Sequence, residues 1–168
     1  MKDPYTPTKE EKDFFFKNLS KDKSVLEYGC GMFSLEICDR SKNVLSVEHQ
    51  PHWYYKVSAQ KPNNSKMALI PPTLPFEEFK DDGTYEEFED YVDYPISKGP
   101  FDIIFIDGRA RLACASKCKL MSHKDTLVFV HDFSGNELNS RGDSEYKKMN
   151  DYLKLIDSCG TMAKFKIK

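Results

Sequence analysis

Two stretches, "FDIIFIDG" (101–108) and "TLVFVHDF" (126–133), constrain this chain more than any other feature. The first is apolar at five of its six leading positions, and the second is apolar in an unbroken run with β-branched residues. A strand wetted on one face alternates, whereas one that is apolar throughout is covered on both faces, as in the middle of a parallel sheet. Shorter runs of the same kind occur earlier, in "SVLEYG", "NVLSVEH" and "KMALIPP". Between them lie helical patterns: "MFSLEICDRS", "PHWYYKVSAQ" with Pro51 suited to a first turn, and "RARLACASKCKLMS". Strands alternating with helices predict an α/β fold, a doubly wound, mostly parallel sheet with helices on both faces. "TPTKEEKDFFFKNL" adds an N-terminal helix, with Thr8 and Glu11 spaced as a capping box. In "TMAKFKIK", Ala163, Phe165 and Ile167 alternate with lysines, which predicts a half-exposed C-terminal antiparallel edge strand beside "TLVFVHDF". "SEYKKMNDYLKLIDSCG" carries Tyr146, Met149, Leu153 and Ile156 at helical spacing and ends in Gly160, so a helix is expected there.

At 168 residues and 39% hydrophobic, residues 1–168 are expected to form a single domain. The formal net charge of -2 provides no basic field for nucleic acid, and no stretch is apolar for the roughly 18 residues a membrane span requires. The charged start "MKDPYTPTKEEKDFFF" does not read as a signal peptide, so a cytoplasmic protein is expected. The five cysteines lack paired CxxC spacing and are read as reduced core thiols. Residues 76–95 carry nine acids against Lys80 alone, with Tyr85, Phe88, Tyr91 and Tyr94 interspersed. This acidic insert is expected to be a solvated loop or helix, with a lid that selects cationic acceptors as the alternative.

The segment "SVLEYGCGMFSLEIC" places Gly29 and Gly31 where a strand turns directly into a helix. One glycine permits the tight turn, and the other lets a ligand lie against bare backbone. In doubly wound sheets, ligands bind beyond the carboxyl ends of the strands, near the switch in strand order. Glu48 ends the next strand 19 residues after Gly29, close to the ~20-residue offset of a ribose-binding carboxylate. A nucleoside is the expected ligand. The run has no third glycine of the G-x-G-x-x-G type, and Glu27 places an acid before the turn that would repel a pyrophosphate but attract an amino group or sulfonium. That favours S-adenosyl-L-methionine over NAD.

"VLEYGCGMFSL", "VLSVEHQPHWYYKV", "FDIIFIDGRARLACA" and "LVFVHDF" together resemble the successive motifs of class I S-adenosylmethionine-dependent methyltransferases, small Rossmann-like enzymes. The resemblance covers roughly residues 20 to 135. It implies that Glu27, Tyr28, Gly29 and Gly31 surround the methionine moiety and sulfonium, and that Glu48 takes the ribose hydroxyls. It further implies that His49 and Trp53 flank the ribose or adenine, and that Asp107 faces the methyl group. Two departures stand out. Met32 and Phe33 replace small residues, which would narrow the pocket, and a single closing strand replaces a hairpin, which would leave the acceptor wall incomplete or supplied by a partner subunit in a homo-oligomer.

Methyl transfer from sulfonium is an in-line displacement that needs alignment, and a base only where the acceptor must lose a proton. The candidates are Asp107 with Arg109 and Arg111, and His131 with Asp132. His131 is the expected general base because an unperturbed imidazole titrates near neutrality. Asp107 and Asp132 sharing a divalent metal is the alternative, and no metal is assigned because the set falls short of octahedral. Arg109, Arg111 and Arg141 are candidates to clamp an acidic substrate. Each also has a structural reading: Asp107 as a turn cap, the arginines in ion pairs, His131 as a satisfied buried histidine, and Trp53 as helix packing. The expected function is methylation of an oxygen or nitrogen of a small molecule or saccharide. Cofactor cleavage and non-catalytic cofactor binding remain as alternatives.

Overall fold

The computed structural model describes residues 6–77, 82–133 and 144–168. The strands are β1 (Ser24–Tyr28), β2 (Asn43–Glu48), β3 (Ser65–Leu69), β4 (Phe101–Ile106), β5 (Ser122–Val130), β6 (Leu153–Cys159) and β7 (Met162–Ile167). They form one sheet in the order β3-β2-β1-β4-β5-β7-β6. β1 to β5 pair in parallel, and β7 runs antiparallel to both β5 and β6. Strand order reverses between β1 and β4, the place where ligands of doubly wound sheets bind beyond the carboxyl ends of the strands.

The helices are α1 (Lys9–Phe16), α2 (Met32–Cys38), α3 (Pro51–Ser58), α4 (Glu89–Asp93) and α5 (Arg111–Lys117). α1 begins with the expected capping box: Thr8 Oγ1 accepts from Glu11 N–H, and the Glu11 carboxylate accepts from Thr8 N–H. One face of the sheet packs under α1 and α2, where Phe15 is fully buried with its ring centre 4.8 Å from Phe129 and 5.2 Å from Phe105. Removing such a ring costs about 3 to 5 kcal/mol. The other face packs under α4, α5 and a 3₁₀ segment (Ser144–Asp151), through Phe88, Tyr91, Val92, Cys114, Cys118, Tyr146 and Met149. The cysteines are free thiols, four of them buried, in line with the reading of reduced core residues.

Three expectations are corrected. First, the C-terminal helix is absent: 144–151 forms a 3₁₀ segment and 153–159 a strand. Tyr146, Met149 and Leu153 are buried as the helical spacing required, but Ile156 is exposed. Second, the alternating "TMAKFKIK" strand does lie beside β5, yet β6 covers its other side and is the true edge. β6 and β7 are joined by a two-residue loop with Gly160 at positive φ. The closing element is therefore a hairpin, and the single-strand premise for a missing acceptor wall no longer holds. Third, much of the acidic insert is packed: Phe88, Tyr91 and Val92 are fully buried, Asp82 is 3% exposed, and only the outward positions such as Glu89 and Asp90 are solvated. Residues 78–81 of that insert lie outside the described residues.

Candidate functional site

Four adjacent strands end at the same edge of the sheet and deliver the candidate residues together: Gly29 to Gly31 after β1, Glu48 and His49 at β2, Asp107 after β4, and His131 and Asp132 after β5. Gly29 has φ +83, and a side chain there would meet the Gly108 backbone at 2.6 Å. The two loops thus touch backbone to backbone, which only glycine permits. Gly31 is extended, and a methyl group built on it meets nothing within 4 Å. The first glycine is required by the fold, and the second faces open space.

The glycine turn is held from both sides. Glu48, 2% exposed, accepts Cys30 N–H at 2.7 Å on one carboxylate oxygen, and His49 and Gln50 N–H at 2.8 and 2.7 Å on the other. Burial opposes its charge, but these donors and the neighbouring His49 outweigh it and hold its pKa below the usual value. His49 Nδ1 lies 3.1 Å from Glu48, and its ring packs edge-on against Phe88. Glu27 lies behind the turn, where Ser46 and Ser34 donate to its two oxygens at 2.6 and 2.8 Å, and Ser34 Oγ accepts from Gly31 N–H. Burial pushes the Glu27 carboxyl up to about 8. The acid expected to present an anion to a sulfonium is thus mostly neutral at neutral pH and supports the turn from within.

Other expected contacts are redistributed. Tyr28 is fully buried, its hydroxyl donates to Val92 O at 2.7 Å, and its backbone carbonyl accepts Asp107 N–H. The side chain is core, and its place at the site is through the main chain. Phe33 packs on Phe15 and Phe105 in the core, so it does not narrow the crevice. Trp53 is half-buried on α3, with Lys56 over its ring and His52 beside it. Arg109 is 8% exposed. Arg141 lies outside the described residues.

Arg111 is 3% exposed and ties Asp107, His131 and Asp132 together. It donates to Gly108 O at 3.0 Å, to His131 O at 2.7 Å and to Asp132 Oδ2 at 3.2 Å, with Asp107 at 3.8 Å. Its backbone N–H is capped by Asp82 at 2.7 Å. Fully engaged, it has no free donor fork for a substrate anion, so the clamp reading fails for Arg111. His131 Nδ1 lies 3.0 Å from Asp107 Oδ1 and 3.8 Å from Asp132, while its Nε2 faces Glu11 at 3.5 Å. Burial pushes the imidazole pKa down, but the Asp107 hydrogen bond and the three carboxylates prevail and raise it to about 9. His131 thus holds its proton more tightly than an ordinary imidazole, which counts against the general-base reading. Donor atoms of Asp107, His131 and Asp132 lie within 4.8 Å of one another, a separation that would admit a divalent ion. Their countercharge in this structure is the Arg111 guanidinium.

Sequence reasoning missed Asp82 and the second role of Glu11. Asp82 is one acid among many in its stretch, and Glu11 had already been explained as a cap. Elsewhere, an open groove of about 690 Å³ lies beyond β3 against Ile70, Pro72, Asp90, Asp93 and Tyr94, and shares no lining residue with this cluster. No helix among the described residues is long and apolar enough to cross a membrane.

Solved structures share this architecture. The chain is similar to a methyltransferase-like protein of Silicibacter pomeroyi, with TM-score 0.74 and 18% identity over 97% of this chain and 87% of that one. It is similar to the N-methyltransferase NodS of Bradyrhizobium japonicum in complex with S-adenosyl-L-homocysteine, with TM-score 0.60 and 11% identity over 99% and 89% of the two chains. A third similarity is to 1,6-didemethyltoxoflavin-N1-methyltransferase of Burkholderia thailandensis, with TM-score 0.59 and 11% identity over 94% and 76%. No family profile matches the chain, and no curated protein matches it. The fold is that of the class I S-adenosylmethionine-dependent methyltransferases.

Proposed function

We propose that the protein binds S-adenosyl-L-methionine in the crevice over the Gly29–Gly31 turn and transfers its methyl group to an oxygen or nitrogen of a small molecule or saccharide. The observation that carries this reading is the conjunction of an unobstructed Gly31 with the ionised, backbone-anchored Glu48 on the neighbouring strand end. Glu48 Oε1 is engaged by His49 and Gln50 N–H and by the His49 ring, so the sugar hydroxyl is assigned to Oε2, the oxygen that accepts Cys30 N–H and has room for a second donor. Neighbours of the same fold crystallised with S-adenosylhomocysteine support the cofactor, and one of them, a 1,6-didemethyltoxoflavin-N1-methyltransferase with 1,6-didemethyltoxoflavin bound, supports a small-molecule acceptor.

The cofactor supplies an electrophilic methyl group on sulfonium; the protein supplies alignment and exclusion of water. Glu48 and the bare backbone at Gly31 orient the nucleoside. Asp107, held by the protonated His131 and by Arg111, faces the acceptor, and the proton released by a hydroxyl or an ammonium passes to Asp107 or Asp132 and on to solvent.

Calorimetry with S-adenosylmethionine, S-adenosylhomocysteine and NAD tests the reading. The two sulfur nucleosides should bind, and Glu48→Ala should weaken them by about 1.5 to 3 kcal/mol, the range for a hydrogen bond to a charged group. Preference for NAD overturns the proposal. Products analysed without added acceptor separate methyl transfer from cofactor cleavage.

A further inference from the structure

One side chain connects α1 to the acceptor side of the crevice. Glu11 is 3% exposed, and each of its oxygens is engaged. Oε2 accepts Thr8 N–H at 2.7 Å and lies 3.5 Å from His131 Nε2. Oε1 accepts the backbone N–H and the hydroxyl of Thr161, in the β6–β7 turn, at 2.7 and 2.9 Å. The turn closes on the carboxylate so tightly that a side chain at Gly160 would lie 2.6 Å from Oε1.

A capping box needs only an exposed glutamate that reaches back to its own helix start. Burying the carboxylate adds a desolvation cost that is tolerated when a cation and donors face it. The cation beside Glu11 is His131, and the opposite nitrogen of that ring meets Asp107. The imidazole is thus strung between two carboxylates from different elements, one at the crevice and one behind it.

We infer that Glu11 is a positioning residue for methyl transfer: from behind, it fixes the His131 ring so that Nδ1–H is donated to Asp107 and the Asp107 carboxylate is aimed at the acceptor. The reference to an acceptor rests on the methyltransferase reading above. The charged groups around the ring are Glu11 on α1, Asp107 after β4, Asp132 beside it and Arg111 on α5, which binds the His131 carbonyl. Glu11 itself is held ionised: burial opposes its charge, but Thr8, Thr161 and His131 bring its pKa down to about 2. The same arrangement makes the N-terminal helix and the C-terminal hairpin parts of one catalytic support.

The test is a pH titration of the His131 ring by NMR in the ligand-free protein, with its signal assigned by loss in His131→Asn. In the unmodified protein the midpoint should lie well above that of an ordinary histidine. Glu11→Gln should lower it by about one pH unit, tenfold in proton affinity, and Glu11→Asp should recover most of that loss. Thr161→Val, which removes a hydrogen bond but no charge, should leave the midpoint in place. In turnover, Glu11→Gln should shift the pH profile and lower kcat with little effect on KM for the cofactor. An unmodified protein whose His131 titrates near 6.5 overturns the inference even if Glu11→Gln does not fold. So does a Thr161→Val shift as large as that of Glu11→Gln. Because the titration needs no ligand, failure of cofactor binding in calorimetry would be recognised separately.

Discussion

Gly29 and Gly31 stand two residues apart in one turn, yet substituting each by alanine should have opposite effects. At Gly29 the φ of +83 costs a residue with a side chain about 1 to 2 kcal/mol. The new methyl would also sit 2.6 Å from Gly108 Cα, 2.7 Å from Gly108 N and 2.8 Å from Asp107 O. These are backbone atoms fixed by the β1–β4 pairing, so relief requires separating two central strands, and overpacking of this kind adds about 1 to 3 kcal/mol. Gly29→Ala should therefore lose about 3 kcal/mol or more in urea unfolding, a large share of the stability of an ordinary domain. Gly31 is extended and its added methyl meets no atom, so Gly31→Ala should change stability by less than about 1 kcal/mol, the scale of a weaker N-cap. That methyl projects into the crevice, and S-adenosylmethionine binding by calorimetry should weaken at least about tenfold, or 1.4 kcal/mol. A Gly31→Ala protein that binds the cofactor as tightly as the unmodified chain would refute the assignment of the crevice, and a fully stable Gly29→Ala would refute the packing argument.

Between pH 5 and 9, stability should fall as pH rises. The folded state holds the His131 proton with a pKa of about 9 against an ordinary 6.5, so that contribution is complete below pH 6.5 and lost as pH approaches 9. At about 1.4 kcal/mol per tenfold in proton affinity, its full loss is worth about 3 kcal/mol. Glu27, raised from 4.5 to about 8, acts in the same direction over pH 4.5 to 8, and Glu27→Gln should flatten that part of the urea-midpoint profile; a midpoint that is flat or rising from pH 5 to 9 contradicts both environments. Tyr28→Phe should cost about 1 kcal/mol, for the bond to Val92 O, and leave cofactor affinity unchanged, as calorimetry and denaturation can show together. Arg111→Met should destabilise by about 3 to 5 kcal/mol, because Asp82, Asp107 and Asp132 lose their shared cation; a loss under 1 kcal/mol by thermal or urea unfolding would show that the network carries little.

The central strands were legible because burial on both faces leaves little choice of residue: Ile103 to Ile106 and Val128 to Val130 are buried and apolar throughout. The glycine turn and Glu48 were legible because their spacing is set by one strand–helix–strand unit. β6 was not. It is an edge strand solvated on most of its positions, so it carries no period of two, while Tyr146, Met149 and Leu153 mimic a helical stripe across a 3₁₀ segment and a strand start. At the site, sequence indicated which residues gather but not which way they face. Glu27 and Tyr28 adjoin the turn in sequence, and both side chains go inward. The far side of the His131 ring meets Glu11, 120 positions earlier, a pairing that no local pattern reveals.

β7 lies between two strands that are both made before it. Until Met162 to Ile167 dock, the rim of β5 away from β4 is unpaired and β6 has no partner strand. During that interval the unpaired rim of β5 is open to strands of other molecules. Closure of the sheet therefore waits on a single strand, and a substitution that keeps β7 from docking would leave both the rim of β5 and β6 without a partner.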